Sequence, residues 1–195
     1  MKNLTRSAST ASRPAAPSAG LRASWPEELH QILRDQNIRQ VAYVPDSGHA
    51  RLIDLARADR HMRAVPLTTE EEGVALAAGA WLGGEKSVLL LQSSGVGNCI
   101  NHLGTVRECR FPLLMLITMR GQKGEFNPWQ VPMGQATPQV LRAMGVAVHE
   151  ASGAADVAAQ VDASMRIAHG SYCGAAVLIA QRLIGIKSFQ EQSSR

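Results

Sequence analysis

Three carboxylates stand in a row where a helix must begin. Residues 68–73 read Thr-Thr-Glu-Glu-Glu-Gly, and the nine that follow, Val74 to Leu82, are all apolar or glycine. Acids in a first helical turn complement the helix dipole, a gain of a few tenths of a kcal/mol up to about one, so Glu70, Glu71 and Glu72 have a purely structural explanation. The apolar run adds a functional one. One of the three must sit at a strand-to-helix corner against an apolar wall, a setting suited to a carboxyl group that manages a proton. The second candidate is Ser93-Ser94-Gly95-Val96-Gly97-Asn98-Cys99-Ile100-Asn101. It follows an apolar run and opens a helix, so its backbone N–H groups are placed to hold an anion or let a ring approach closely; a tight structural turn explains it equally well. A dinucleotide fingerprint would need glycine at 100 and an acid after the next strand. Ile100 and Met119-Arg120 stand there instead, which disfavours a nicotinamide cofactor.

Arg120 to Thr137 combines cations, amides and Trp129 without helical or strand period. Loops that long in a compact domain are usually functional; this one reads equally as a substrate loop and as a surface excursion or subunit contact. Val44-Pro45-Asp46-Ser47-Gly48-His49 reads as a rigid turn whose Ser47 hydroxyl faces the same crevice. The six histidines show no metal-ligand spacing, no Walker lysine loop is present, and no local motif assembles a Ser–His–Asp set.

These segments need elements to hold them. Periodicity predicts helices over 26–36, 48–58, 69–82 (with Thr68 or Thr69 as N-cap), 97–109, 138–144 and 154–170, and strands over 40–44, 63–67, 87–92, 113–119, 147–150 and 175–180. Ser87–Gln92 and Leu113–Met119 are continuous apolar runs, as strands buried on both faces are. The expected fold class is α/β: a parallel six-stranded sheet with helices on both faces. Ligands of such sheets bind beyond the carboxyl ends of the strands, where Pro45–His49, Thr68–Glu71, Ser93–Asn98 and Arg120–Thr137 fall.

The chain's 195 residues and 45% hydrophobic content fit one domain, expected over 25–185, between a disordered tail at 1–24 and a C-terminal tail at 186–195. The formal charge of +4 lies wholly in the first tail, where Lys2, Arg6, Arg13 and Arg22 meet no acid. The rest is charge-balanced and has no basic surplus for a nucleic-acid backbone. An acid-free Arg/Ser-rich leader also suits an organelle transit peptide, but no amphipathic stripe runs through it. Cys99, Cys109 and Cys173 are far apart, with neither a disulfide framework nor a zinc spacing, which fits a reducing cytoplasm. The longest apolar run, Phe111 to Met119, is about half a membrane span.

Four segments, in order, resemble the pyrimidine-binding domain of thiamine-diphosphate enzymes. They are Val44-Pro45-Asp46-Ser47; Glu70-Glu71-Glu72-Gly73 with Gly79 nine residues after Glu70; Gln92 to Asn98; and Met119-Arg120-Gly121 with Gln130-Val131-Pro132-Met133-Gly134. Within that group the sequence is most similar to sulfopyruvate decarboxylase α subunits, then to phosphonopyruvate decarboxylases. The resemblance selects Glu70 as the catalytic carboxylate, which hydrogen-bonds N1′ of the aminopyrimidine so that the 4′-nitrogen removes the thiazolium C2 proton. It implies that Gly95, Gly97 and Asn98 join Glu70 around the cofactor, and that Ser47, Gln92, Arg120 and Gln130 face the substrate. Ser47 is placed like the serine that contacts substrate carboxylate in benzoylformate decarboxylase, and Gln130 lies where acetolactate synthases carry a Phe-Gln pair. Arg120, Lys123 and Arg51 are candidates for a second anionic group such as a sulfonate. The diphosphate half of these enzymes holds a divalent cation with Gly-Asp-Gly followed by Asn, and this chain has no Asp-Gly dipeptide. The resemblance therefore implies a β subunit carrying Mg2+ and the diphosphate site, in a homo- or hetero-oligomer. Other small 2-oxo acids, and a non-catalytic binding role for an orphan pyrimidine domain, stay open at this point.

Overall fold

A computed structural model describes residues 24–185; the two expected tails, Ser24 apart, lie outside the described residues. The sheet consists of β1 (Ile38–Tyr43), β2 (Arg63–Pro66), β3 (Lys86–Gln92), β4 (Leu113–Thr118), β5 (Ala147–Ala151) and β6 (Gly174–Ile179). All neighbouring pairs run parallel, in the order β2-β1-β3-β4-β6-β5. Alternating residues of the central strands feed two separate cores. Val88, Leu90, Leu114 and Leu116 point to one, under α1 (Trp25–Asp35), α2 (Ala50–Ala58) and α7 (Ala154–Ser171). Leu89, Leu91, Leu113, Met115 and Ile117 point to the other, under α3 (Glu71–Leu82), α4 (Ser93–Cys99), α5 (Leu103–Cys109) and α6 (Gln130–Ala143). The α/β architecture with both faces covered is thus as the sequence predicts.

Three local features differ from expectation. The helix expected over 97–109 is two: α4 starts directly at Ser93 and ends at Cys99, and α5 starts at Leu103. The Ser93–Asn98 segment is therefore helical rather than an open loop. The expected loop over 120–137 is shorter, because α6 already begins at Gln130 and takes Pro138 into its interior. Pro138 falls in the third turn, where it has no N–H to donate to the Gly134 carbonyl. A short α8 (Gln181–Ile184) after β6 has no periodic signature.

Strand order reverses between β1 and β3, because β2 lies on one side of β1 and β3 on the other. The connections leaving β1 and β3 diverge there and open a crevice at the carboxyl end of the sheet. Helix α3 is pressed close on β3: a Cβ on Gly73 would come within 2.4 Å of the Leu89 side chain. That approach fixes the height of the Glu70 corner above the sheet.

Candidate active site

The three adjacent carboxylates are sorted by geometry. Thr68 N–H donates to the Glu72 carboxylate at 2.8 Å, and the Thr69 hydroxyl donates to Glu71. Neither threonine caps α3; the N-cap is Glu70, with helical backbone angles and no side-chain cap bond. Glu71 and Glu72 thus reach back to the two threonines before the helix, and the Thr69 hydroxyl holds the Glu71 carboxyl below its ordinary range.

Glu70 alone turns inward and is 9% exposed. Its carboxylate lies against α4, where Asn98 Nδ2 donates to Oε2 at 2.7 Å. Gly95 makes that placement feasible: a Cβ there would stand 2.2 Å from Glu70 Oε1. Gly97 has no such conflict, its nearest neighbour being Met133 Sδ at 3.5 Å from an added Cβ. Cys99 sits buried behind the carboxylates, its thiol pushed up to about 12 by desolvation and by the charges of Glu70 and Glu71.

A second group lines the crevice between β1 and β3. Asp46 accepts from Gln92 Nε2 at 3.0 Å and from the Thr118 hydroxyl at 2.6 Å, so three strand ends are tied through one carboxylate. Ser94 Oγ donates to Gln92 Oε1 at 3.0 Å, next in sequence to Gly95, and so joins this group to the Glu70 corner. Ser47, Gln92 and Arg120 meet here with Asp46, Gln181 and Ile184. Beneath them His49 is fully buried, its Nε2 paired to the Leu116 carbonyl at 3.0 Å. Burial pushes its pKa down, against the pull of the Asp46 charge, so the ring is held neutral.

The connection after β4 is built around an ion pair. Arg120 donates through Nε and Nη2 to Glu125 at 2.6 and 2.5 Å. Gln130 stands apart from both groups at the start of α6; its side-chain oxygen is buried with no partner among the described residues. Neighbouring Trp129 is 79% exposed. Of the cations expected to face an anion, Arg51 is committed to Glu27 at 2.6 Å and Lys123 is exposed. Asp46, Thr118, Glu125 and Gln181 were not singled out as site residues. Asp46 adjoins Ser47 in the same turn and was within reach of the sequence; Gln181, in an unforeseen helix, carried no signal.

A parallel sheet in the order β2-β1-β3-β4-β6-β5, covered by helices on both faces, defines an α/β domain of the doubly wound class. Residues 26–141 match the family described as thiamine pyrophosphate enzyme, N-terminal TPP binding domain, and the chain belongs to that family. It is 35% identical over 121 residues to sulfopyruvate decarboxylase subunit alpha of Methanococcus maripaludis, covering 62% of this chain and 72% of the relative. It is 38% identical over 106 residues to phosphonopyruvate decarboxylase of Streptomyces viridochromogenes, covering 53% of this chain but 27% of that longer one. Among solved structures, its fold is similar to that of a 2-oxoglutarate:ferredoxin oxidoreductase from Magnetococcus marinus, at 12% identity with a TM-score of 0.66 over 83% of this chain and 29% of the other.

Proposed function

We propose that this chain is the α subunit of a two-subunit thiamine-diphosphate-dependent decarboxylase, with 3-sulfopyruvate as its substrate and phosphonopyruvate or another small 2-oxo acid as the alternative. The observation that carries the reading is the Glu70 carboxylate, buried at the α3 corner with one oxygen fixed by Asn98 and Gly95 leaving room beside it. Those residues fit the hydrogen-bonding edge of an aminopyrimidine. Bound there, thiamine diphosphate supplies the nucleophilic carbon and the electron sink for loss of carbon dioxide. The chain's own part is orientation and proton management. Glu70 shares a proton with the pyrimidine ring nitrogen; Asn98 stops its carboxylate from rotating; Gly95 and Gly97 let the ring lie against α4. Ser47 and Arg120 hold the oxo-acid carboxylate, Gln92 orients the neighbouring hydroxyl of Ser94, and the unpartnered Gln130 oxygen accepts from substrate or partner.

Three observations support a partner. The Methanococcus relative is named as a subunit, and the Streptomyces relative is a single chain several times longer than the stretch it shares. The resemblance assigns Mg2+ and the diphosphate to a β subunit that carries Gly-Asp-Gly followed by Asn, and this sequence has no Asp-Gly dipeptide. Helix α3 is apolar throughout Val74–Leu82, yet Ala75, Gly79 and Leu82 are exposed, Leu82 at 87%. A helix apolar on all sides belongs in an interior, and a subunit contact supplies one. No helix among the described residues is long and apolar enough to cross a membrane, and the unpaired cysteines fit a cytoplasmic site of action.

The test is aldehyde and carbon dioxide formation from 3-sulfopyruvate, with thiamine diphosphate and magnesium, by this chain co-expressed with its partner. Turnover that requires both chains is the expected result. A stable, cofactor-binding complex that turns over none of 3-sulfopyruvate, phosphonopyruvate and pyruvate would overturn the decarboxylase reading.

A further inference from the structure

Arg120 is the one cation among the described residues that line the crevice with Asp46, Ser47, Gln92, Gln181, Ile184 and Gly185. Its guanidinium is almost wholly buried, with the side chain 7% exposed against 2% for that of Glu125. A buried arginine keeps directional value only if something fixes its plane, because the stem has several rotatable bonds. Here Glu125 fixes its edge, and the Phe126 ring lies against its face, 5.5 Å from Cζ to the ring centroid. The pairing is a fork on a carboxylate, Nε to Oε2 and Nη2 to Oε1, which leaves Nη1 without a hydrogen-bond partner among the described residues. Glu125 is itself immobilised by three further donors, Gly121 N–H at 3.1 Å, Asn127 N–H at 2.9 Å and Gln181 Nε2 at 3.0 Å. The backbone of Arg120 is clamped too. Its N–H donates to Ser93 Oγ at 3.0 Å, and a Cβ on Gly134 would stand 2.0 Å from its carbonyl oxygen.

We propose that Glu125 is a positioning residue for substrate recognition: by occupying the Nε/Nη2 edge of Arg120 it presents the remaining edge to the carboxylate of a 2-oxo acid in the crevice. This rests on the reading of the crevice as the oxo-acid site. The proposal deepens that reading in one respect, the origin of anion affinity. Asp46 and Glu125 together outweigh the charge of Arg120, so net charge gives the crevice no attraction for an anion. Recognition comes from an oriented donor, Arg120, whose plane is set before the substrate arrives. A role for Glu125 in charge alone makes the opposite prediction, since removing its negative charge would strengthen anion binding.

The experiment measures the affinity of the cofactor-loaded two-chain complex for oxamate, a 2-oxo-acid isostere that cannot lose carbon dioxide, together with its affinity for thiamine diphosphate. Glu125→Gln is expected to weaken oxamate at least tenfold while cofactor affinity stays within twofold. Glu125→Asp, which keeps the charge but shortens the reach, is expected to weaken oxamate several-fold and serves if the glutamine variant does not fold. In an Arg120→Lys background, which has no fork to orient, the Glu125 effect is expected to vanish, an outcome that a general stabilising role would not give. Equal or tighter oxamate binding by Glu125→Gln, or an undiminished effect in the Arg120→Lys background, overturns the proposal, as does a wild-type complex that does not bind oxamate. A wild-type complex that binds oxamate with this pattern but decarboxylates no 2-oxo acid sinks the proposed function and leaves the positioning role standing.

Discussion

Two buried glutamates face the same end of the sheet and are treated in opposite ways. Glu125 takes five hydrogen bonds, two from the Arg120 fork, two from backbone N–H groups and one from Gln181. The Arg120 bonds come first among the causes that hold its carboxyl down to about 2, against the opposing effect of burial. Among the described residues, Glu70 receives one side-chain hydrogen bond, from Asn98. A saturated carboxylate is a fixed anion that organises its surroundings. One with an uncommitted oxygen, kept beside a glycine, retains capacity to exchange a proton with a ligand. Burial alone does not separate the two; the count and identity of donors do.

Substitutions that alter that count give graded expectations. The largest effect is expected from Gly95→Ala, because its Cβ would overlap the Glu70 carboxylate and force it off the α4 turn. Steady-state turnover of the complex should fall at least a hundredfold, on the scale of losing a positioned acid–base group. Gly97→Ala, with only an ordinary contact to Met133, should cost less than tenfold and thereby report how near the cofactor ring comes. Glu125→Ala leaves the buried Arg120 charge unpaired and should lower unfolding free energy by roughly 3 kcal/mol in a denaturant titration. Asn98→Ala frees one Glu70 oxygen and should reduce turnover about tenfold, the value of one hydrogen bond to a charged group, with little change in melting temperature. The smallest effect is in pH dependence. His49 is buried neutral with its pKa held below the ordinary 6.5, so the unfolded chain takes up a proton there more readily than the folded one. Stability from this group is complete above about 6.5 and is lost as pH falls below it. Melting temperatures between pH 7 and 5 should fall less steeply in His49→Gln than in the wild type.

What could be read from the sequence follows the range of the forces involved. The six strands and their parallel class were legible because apolar runs such as Leu113–Thr118 are a local record of burial on both faces. Glu70 was separable from Glu71 and Glu72 only through the resemblance, by the nine-residue spacing to Gly79; composition alone gave three equivalent acids. The structure adds the physical reason, since the two neighbours are engaged by Thr68 and Thr69. The Arg120–Glu125 pair was missed although both residues lie in one loop. An isolated Arg and Glu five apart in an aperiodic stretch leave no pattern, and the contacts that bury them come from Gln181, 56 residues further on. The break between α4 and α5 was missed because Ile100 and His102 keep helical backbone angles, so nothing local marks the interruption.

In the proposed function, Glu70 is the carboxyl group that activates the cofactor. The measurement is the rate at which the thiazolium C2 proton of thiamine diphosphate exchanges for deuterium in the saturated two-chain complex, for wild type and Glu70→Gln. Exchange slowed at least a hundredfold in the variant, with the cofactor still bound, is the predicted result. Equal exchange rates in the two complexes would contradict the assignment, whatever the overall turnover.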